Sequence, residues 1–285
     1  LTENTPQAAL DFCQKLIEAT REVALAYKPN AAFFEALGPQ GWEVLAKVIA
    51  AVPPGIPVIL DAKRGDIAST AEAYAHSAFE TLGVNAITLS PYLGYDSVQP
   101  FIKNPAHGVF LLCKTSNPGA ADLQDLPLAG EGRPTALFEK VARLAQEWNA
   151  AGNIGLVAGA TYPDALYRVR QSAPALWILA PGVGAQGGDL EQALRAGLRA
   201  DGLGLLIPVS RAISRAADPR QAALDLHQQI QSLRQVILSS PAREAVYAPR
   251  PVSAALAEGL LAAGCVRFGQ FTLKSGLISP IYIDL

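Results

Sequence analysis

Charged residues that could do chemistry are concentrated just after the apolar run Val58–Leu60. Asp61 and Lys63 lie two positions apart, and Asp66 follows on the adjoining turn. Side chains alternate along a strand, so we expect Asp61 and Lys63 on one face. Two carboxylates beside one ammonium favour its charged form, which would make Lys63 a fixed cation and proton donor. A purely structural salt-bridge network at a strand end is the competing interpretation.

Lys28 is a second lysine at the end of an apolar run, Val23–Tyr27. If that run and Val58–Leu60 are parallel strands, their carboxyl ends meet at one edge and Lys28 is expected to pair with Asp61. An exposed lysine at a strand end would show the same sequence pattern.

Two later segments could hold an anion. The segment from Pro181 to Asp189 contains four glycines, which let backbone N–H groups approach a ligand closely. Arg211 follows the next apolar run and could grip a phosphate with two parallel hydrogen bonds. Barrel phosphate sites commonly use the last two strands, although a glycine-rich loop can also be only a tight turn.

The segment Lys114-Thr115-Ser116-Asn117 adds hydroxyl and amide groups after another apolar run. It suits hydrogen bonding to a heterocycle, or a capped turn. Taken together, these segments favour a phosphorylated small molecule whose reaction needs a fixed electric field and one proton. The three cysteines and three histidines are scattered without ligand spacing, so we expect neither a metal site nor a disulfide framework.

The elements that must position these residues alternate between short apolar runs and segments with helical spacing. The runs are mostly continuous, which is typical of strands buried on both faces of a parallel sheet. Seven of them precede residue 239: Val23–Tyr27, Val58–Leu60, Ala86–Leu89, Val109–Cys113, Ile154–Ala158, Leu176–Ala180 and Gly204–Ile207. Helices are predicted over Asn4–Thr20, Ser69–Leu82 (with a capping box from Ser69 to Glu72), Thr135–Ala151 and Asp218–Val236.

This βα repeat predicts a parallel α/β fold, either an open doubly wound sheet or a closed (β/α)8 TIM barrel. Residues 1–238 suit the roughly 250 residues of a barrel. The count is one strand short, so the first strand is expected upstream of Leu1, in a natural protein that continues at its N-terminus. Residues 239–251 read as a linker. Residues 252–285, with a helix over Ser253–Ala263 and a hairpin after it, read as the truncated opening of a second domain.

Composition excludes several classes of protein. The chain has 285 residues, of which 50 % are hydrophobic and 17 % charged, with a net charge of −2. It is too apolar to be disordered, and no basic cluster indicates a nucleic-acid partner. Its apolar stretches are too short for a membrane span, and the first residues do not read as a signal peptide. We therefore expect a cytoplasmic enzyme without nucleic-acid or membrane partners.

Several segments in the same order resemble the orotidine 5'-monophosphate decarboxylase family, in its DAKRGD form. They are AYKPNAAFFEALG, DAKRGDIASTAEAYA, SPYLGYDS, LLCKTSNPGA, AGATYP and PGVGAQGGD. The resemblance implies a (β/α)8 barrel that works as a homodimer with shared active sites and without cofactor or metal. It also implies conversion of orotidine 5'-monophosphate to uridine 5'-monophosphate and CO2, the last step of de novo UMP synthesis.

The resemblance also implies roles for individual residues. Lys63 would protonate C6 of the pyrimidine, Asp61 would face the substrate carboxylate, and Lys28 would link Asp61 to the ribose. The other residues it implies are Asp66 and Thr70, reaching into the neighbouring subunit's site; Ser116, binding the pyrimidine; and Pro181, Gly184, Gln186 and Arg211, around the phosphate. The family's first strand, with a ribose-binding aspartate, is not seen, and Ala212 replaces a common glycine.

The C-terminal segment resembles the opening of orotate phosphoribosyltransferase, with Lys274 matching a family lysine and Leu277 standing where arginine is common. The parent protein is then expected to be a bifunctional fusion with the decarboxylase first. Two other hypotheses remain: a metal-dependent relative on the same barrel acting on a sugar phosphate, and a non-catalytic nucleotide-binding or assembly module.

Overall fold

The computed structural model describes residues 5–129, 135–184 and 187–239, together with the backbone of 266–272 and 278–283. The chain divides into two compact units, Leu1–Arg243 and Glu244–Leu285. Within the described residues, no helix combines the length and the apolar character needed to cross a membrane.

A six-stranded parallel sheet forms the centre of the first unit. Its strands, in spatial order, are β1 (Ile59–Arg64), β2 (Ala86–Leu89), β3 (Gly108–Lys114), β6 (Ile154–Ala158), β7 (Trp177–Leu179) and β8 (Leu205–Leu206). β4 (Pro127–Leu128) and β5 (Thr135–Ala136) form a separate antiparallel pair. The spatial order of the central sheet follows the chain order, as in a singly wound barrel. The reversal that marks a doubly wound sheet is absent from the described strands.

The predicted strand over Val23–Tyr27 is largely wrong. Parallel bridges join Tyr27 to Val58 and Asn30 to Asp61. Backbone hydrogen bonds of 2.8–3.0 Å join the same segment to Pro57, Ile59 and Asp61. The contact is therefore shifted toward Lys28, and it holds this lysine beside the end of β1. The other six predicted strands are confirmed.

Helices follow most strands. Those of the first unit are α1 (Pro6–Thr20), α2 (Ala31–Glu35), α3 (Pro39–Ala50), α4 (Ala68–His76), α5 (Tyr95–Ile102), α6 (Leu137–Trp148), α7 (Pro163–Ser172), α8 (Leu190–Gly197), α9 (Arg211–Ser214) and α10 (Pro219–Ser239). The predicted capping box is wrong, because α4 begins at Ala68 without a side-chain cap, and Glu72 pairs with Lys103 instead. The helix predicted to Leu82 changes after His76 into a π-helical turn.

One apolar layer runs across the sheet and takes a residue from each of five neighbouring strands: Ile59, Ala86, Phe110, Val157 and Leu179. Gly155 makes room for the largest of them, since a Cβ there would lie 2.7 Å from the Phe110 ring. A second layer joins α8 to α10 through Leu190, Leu194, Leu198 and Ile237. The first layer holds five neighbouring strands together, and the carboxyl ends of these strands carry the polar residues.

Arg170, in α7, ties together the loops at the amino ends of β7 and β8. Its side chain is buried, and its guanidinium donates hydrogen bonds of 2.7–3.2 Å to backbone carbonyls of Ala173, Pro174, Leu176, Gly197 and Gly204. Carbonyls buried without a donor are costly, so this side chain supplies bonds that the loops cannot make for themselves.

The second unit contains an antiparallel hairpin of β9 (Val266–Thr272) and β10 (Ile278–Ile283). This confirms the hairpin expected there. The predicted helix over Ser253–Ala263, most of the predicted linker, Lys274 and Leu277 lie outside the described residues.

We predict that Arg170→Ala lowers the free energy of unfolding by about 3–5 kcal/mol, because several buried carbonyls lose a charged donor. Urea unfolding followed by circular dichroism measures the change. Arg21→Ala is the control, since Arg21 is half exposed and its ion-pair partner Glu18, three residues before it, is exposed as well. A loss no larger than that of the control would contradict the role given to Arg170.

Candidate active site

Asp61 is the centre of a charged cluster at the carboxyl end of β1. Its Oδ2 atom lies 2.6 Å from Lys28 Nζ, and its Oδ1 atom lies 2.5 Å from Lys63 Nζ. The Thr88 hydroxyl donates a third hydrogen bond, of 3.1 Å, to Oδ1. The structure thus brings together the two lysines and the carboxylate that sequence spacing pointed to.

Thr88 is a site residue that the sequence reasoning missed. It lies in β2, is 1 % exposed, and accepts a 2.9 Å hydrogen bond from the Lys63 backbone N–H. A threonine in the otherwise apolar strand Ala86–Leu89 was the available signal, since a buried hydroxyl needs partners.

Lys63 reaches Asp61 through an unusual backbone conformation. Its φ angle is +48°, in the left-handed region, and the pairing of β1 with β2 shifts register between Leu60 and Arg64. Such a conformation costs a residue with a side chain about 1–2 kcal/mol. Strand alternation correctly predicted that Lys63 pairs with Asp61. It did not predict the backbone distortion at Lys63 through which the pair forms.

Burial and charge act on Asp61 in opposite directions. Burial alone raises the pKa of Asp61, but the Lys28 and Lys63 ammonium groups outweigh it and hold the pKa below its ordinary value. The Asp61 side chain is 11 % exposed and that of Lys63 is 48 % exposed. The cluster therefore presents an accessible ammonium anchored on a buried carboxylate.

Asp66 and Thr70 follow this cluster along the chain, and Asp66 is half-buried. The Asp66 carboxylate accepts a 2.8 Å hydrogen bond from the Ile67 backbone N–H, and Thr70 is exposed on α4. No ion pair joins Asp66 to Lys63 in the part of the chain that the structure describes. The expectation of two carboxylates around Lys63 is thus met by Asp61 alone within one chain.

Ser116 follows β3, is half-buried, and packs tightly on the loop after β6. A Cβ on Gly159 would lie 3.0 Å from Ser116 Cβ, so this close approach needs glycine. The Gly159 N–H also donates a 2.7 Å hydrogen bond to the Lys114 carbonyl. The position of Ser116 is thus coupled to the neighbouring strand end.

The glycine-rich loop after β7 is folded back on itself. The backbone N–H groups of Gly184, Gly187 and Gly188 donate to carbonyls within the loop over 2.8–3.0 Å. Pro181 ties the loop to the segment that follows β6, because its carbonyl accepts a 2.8 Å hydrogen bond from the Ala160 N–H. These three amides are therefore engaged in this conformation, and an anion would have to replace their present partners.

Two further phosphate contacts are predicted, one within that loop and one after the next strand. Gln186 lies outside the described residues. Arg211 is exposed at the start of α9 and forms no ion pair among the residues the structure describes, which leaves its guanidinium accessible to a ligand. The same residues contain no group of three or more histidine, cysteine or acidic side chains that could hold a metal ion.

The chain is similar in sequence to a known enzyme family. The model of the orotidine 5'-phosphate decarboxylase / HUMPS family matches residues 5–226. Orotidine 5'-phosphate decarboxylase of Roseiflexus castenholzii is 55 % identical over 203 residues, covering 71 % of this chain and 73 % of that protein. The enzyme of that name from Azoarcus is 48 % identical over 241 residues, covering 81 % and 88 %.

Solved structures give the same result. The Leishmania donovani OMP decarboxylase structure matches with a TM-score of 0.78 and 57 % identity, covering 82 % of this chain and 90 % of its own. The Leishmania donovani UMP synthase structure matches with a TM-score of 0.79 and 56 % identity. That match covers 99 % of this chain but 60 % of the synthase.

We predict that Asp61→Asn destabilises the protein at neutral pH and that this deficit shrinks on acidification. Because the folded-state pKa of Asp61 is depressed, its stabilisation is complete above the ordinary value of 3.8 and is lost as pH falls through the folded value. Urea unfolding between pH 3 and 7 measures the difference from wild type. Asp11→Asn, on an exposed helix face, is the control. A deficit that stays constant with pH would disprove the linkage.

Proposed function

We propose, since the chain belongs to the orotidine 5'-phosphate decarboxylase / HUMPS family, that the Asp61 cluster is the site at which it decarboxylates orotidine 5'-monophosphate. The chain is a carboxy-lyase that forms uridine 5'-monophosphate and CO2 in pyrimidine synthesis, the activity named for relatives about half identical to it. The observation that carries the assignment of the site is the Lys28–Asp61–Lys63 chain of ion pairs at a strand end.

Lys63 is the proton donor in this proposal. The bond from C6 of the pyrimidine to the carboxylate carbon breaks, its electron pair stays on C6, and CO2 leaves. Lys63 Nζ then gives a proton to C6 and regains one from solvent. A cation held beside C6 stabilises the developing negative charge, and Asp61 fixes it there before the reaction begins.

Asp61 and Lys28 prepare this arrangement. With its pKa held low by two ammonium groups, Asp61 stays ionised and faces the substrate carboxylate. Lys28 satisfies the second carboxylate oxygen and extends the cluster toward the ribose. Removal of either lysine would leave a buried carboxylate with one ammonium partner, which is costly.

The remaining substrate contacts come from loops after other strands. Ser116 binds the pyrimidine, while Pro181, Gly184, Gln186 and Arg211 surround the phosphate. Binding energy from the phosphate, which is remote from the reacting carbon, helps to hold the closed site.

A homodimer completes the site in this proposal. Ile67, Tyr92 and Leu93 are 48–77 % exposed although all are large and apolar. Their segments touch, because the Ser90 N–H donates a 2.7 Å hydrogen bond to the Arg64 carbonyl. An exposed apolar surface of this kind is typical of a subunit interface. Asp66 and Thr70 flank it, so a second copy packed there would receive them at its own active site.

The proposal includes three further points. The chain belongs to the DAKRGD subgroup of the family, it acts in the cytoplasm, and it comes from a bifunctional parent protein. In that parent, residues 1–238 form the decarboxylase, 239–251 the linker and 252–285 the beginning of an orotate phosphoribosyltransferase domain. The match to the Leishmania donovani UMP synthase structure supports this division. That match covers 99 % of this chain, whereas the match to the Leishmania donovani OMP decarboxylase structure covers 82 % of it.

We predict that Lys63→Ala lowers turnover of orotidine 5'-monophosphate at least about 1,000-fold, because both the fixed cation and the proton donor are lost. Loss of substrate absorbance, with chelator present, measures turnover, and calorimetry with uridine 5'-monophosphate measures binding. Lys103→Ala is the control, since Lys103 makes an exposed pair with Glu72.

The outcomes separate the competing functions. Chelator-resistant turnover by wild type, with binding preserved in Lys63→Ala, supports the proposal. Turnover that stops with chelator would indicate a metal-dependent relative. Nucleotide binding without turnover in wild type would indicate a binding module.

We also predict that Tyr92→Glu shifts the protein from dimer to monomer and lowers turnover at least about 10-fold, because a charge is buried at the interface and the partner's Asp66 is lost from the site. Light scattering after gel filtration measures the mass. Val236→Glu is the control, as Val236 is also an exposed apolar residue but lies on α10. A monomeric, fully active variant would exclude a shared site.

A further inference from the structure

We propose that Gln124 is a positioning residue that fixes Ser116 for pyrimidine binding, an inference that rests on the proposed function. Gln124 lies in the segment after β3, where both neighbouring leucines, Leu123 and Leu126, are more than 40 % exposed. Gln124 itself is half-buried. Its side chain therefore turns inward from a segment that otherwise faces solvent.

Both ends of the Gln124 amide bind one residue, Thr115. The Gln124 carbonyl oxygen accepts a 2.8 Å hydrogen bond from the Thr115 backbone N–H, and Gln124 Nε2 donates a 2.9 Å bond to Thr115 Oγ1. The Thr115 hydroxyl in turn donates to Asn117 Oδ1 over 2.6 Å. Each polar group in this set has a partner of the correct kind, so the backbone immediately before Ser116 is held from two directions.

Ser116 has little freedom once Thr115 is fixed. Its backbone nitrogen lies 3.2 Å from where a Cβ on Gly159 would be, so the loop after β6 closes the other side. The hydrogen bonds from Gln124 to Thr115 and the contact of Ser116 with Gly159 together fix where Cα and Cβ of Ser116 lie. Accurate placement matters because small displacements of a binding group cost a large part of its benefit.

The segment that carries Gln124 is itself anchored. The Gln124 N–H donates to the Ala120 carbonyl over 2.8 Å, and the Gln124 carbonyl accepts a 3.0 Å bond from Phe138 at the start of α6. The adjacent Asp125 pairs with Lys114 over 2.7 Å, and the Lys114 side chain is only 6 % exposed. Two consecutive residues, Gln124 and Asp125, thus bind two consecutive residues of the strand end.

The same loop borders a cleft of about 450 Å3, which is lined by Asn117, Pro118, Ala120, Ala121 and Asp125 together with Phe138 and Tyr162. Thr115 is positioned by its hydrogen bonds with Gln124 and Asn117.

Gln124 does not touch the pyrimidine in this account and acts through Ser116. Its loss should weaken ligands that carry a pyrimidine and spare ligands that carry only ribose and phosphate. Ribose 5-phosphate and uridine 5'-monophosphate form such a pair, since they differ by the base alone.

The test compares Gln124→Ala, Gln124→Glu and Gln146→Ala with wild type. Gln146 is the matched control, because its side-chain carbonyl also accepts from a backbone N–H, that of Ala175, but before β7 at the opposite end of the strands. For Gln124→Ala we expect affinity for uridine 5'-monophosphate to fall about 10-fold and that for ribose 5-phosphate to stay within about twofold. Gln124→Glu, which keeps the acceptor for Thr115, should recover part of the loss.

Two further readouts complete the experiment. In Gln124→Ala, KM for orotidine 5'-monophosphate should rise by a larger factor than kcat falls. Hydrogen exchange of the Thr115 and Ser116 amides should be faster in Gln124→Ala than in wild type and unchanged in Gln146→Ala. Equal weakening of both ligands, or unchanged uridine 5'-monophosphate binding, would overturn the proposal. A wild type that binds uridine 5'-monophosphate without turning over substrate would contradict the proposed function while the ligand comparison still decides the role of Gln124. A wild type that binds neither ligand would overturn both.

Discussion

A buried carboxylate between two ammonium groups is the constraint on which the rest of this structure depends. Lys28 and Lys63 hold the pKa of Asp61 below its ordinary value against the effect of burial. Lys28 lies outside the regular strands, and the backbone of β1 is distorted at Lys63. Lys28 lies in a short segment that is joined to the β1 region by two parallel bridges. Lys63 itself has a left-handed backbone conformation. Departures from ideal barrel geometry therefore occur where the charges must converge.

The fold was largely predictable because parallel strands buried on both faces leave continuous apolar runs in the sequence. Six of the seven runs are strands, and the order of the sheet follows the chain. The failure at Val23–Tyr27 has a physical cause. That run is apolar, but backbone pairing with the β1 region begins at Tyr27 and continues through Pro29 and Asn30. Leu25, inside the run, is 74 % exposed, so apolar character before Tyr27 did not indicate a strand.

The candidate site was predictable only in part. Asp61, Lys63 and Lys28 could be grouped because opposite charges at strand ends need one another. Thr88 and Gln124 gave no comparable signal, since a single hydroxyl or amide becomes informative only when its partners are known. Motif reasoning could not reveal that three amides of the glycine-rich loop are engaged within the loop, because their partners depend on its folded conformation.

The left-handed backbone conformation of Lys63 is unfavourable for stability, although the chemistry needs the ammonium group that it carries. Glycine adopts this conformation without penalty and asparagine tolerates it well, but neither side chain could pair with Asp61, whose carboxylate would then keep one ammonium partner. The backbone strain at Lys63 is therefore a local cost that comes with placing an ammonium group there. Laboratory evolution of this barrel toward heat resistance must include activity in every round, because a substitution that relieves this strain also removes the proton donor.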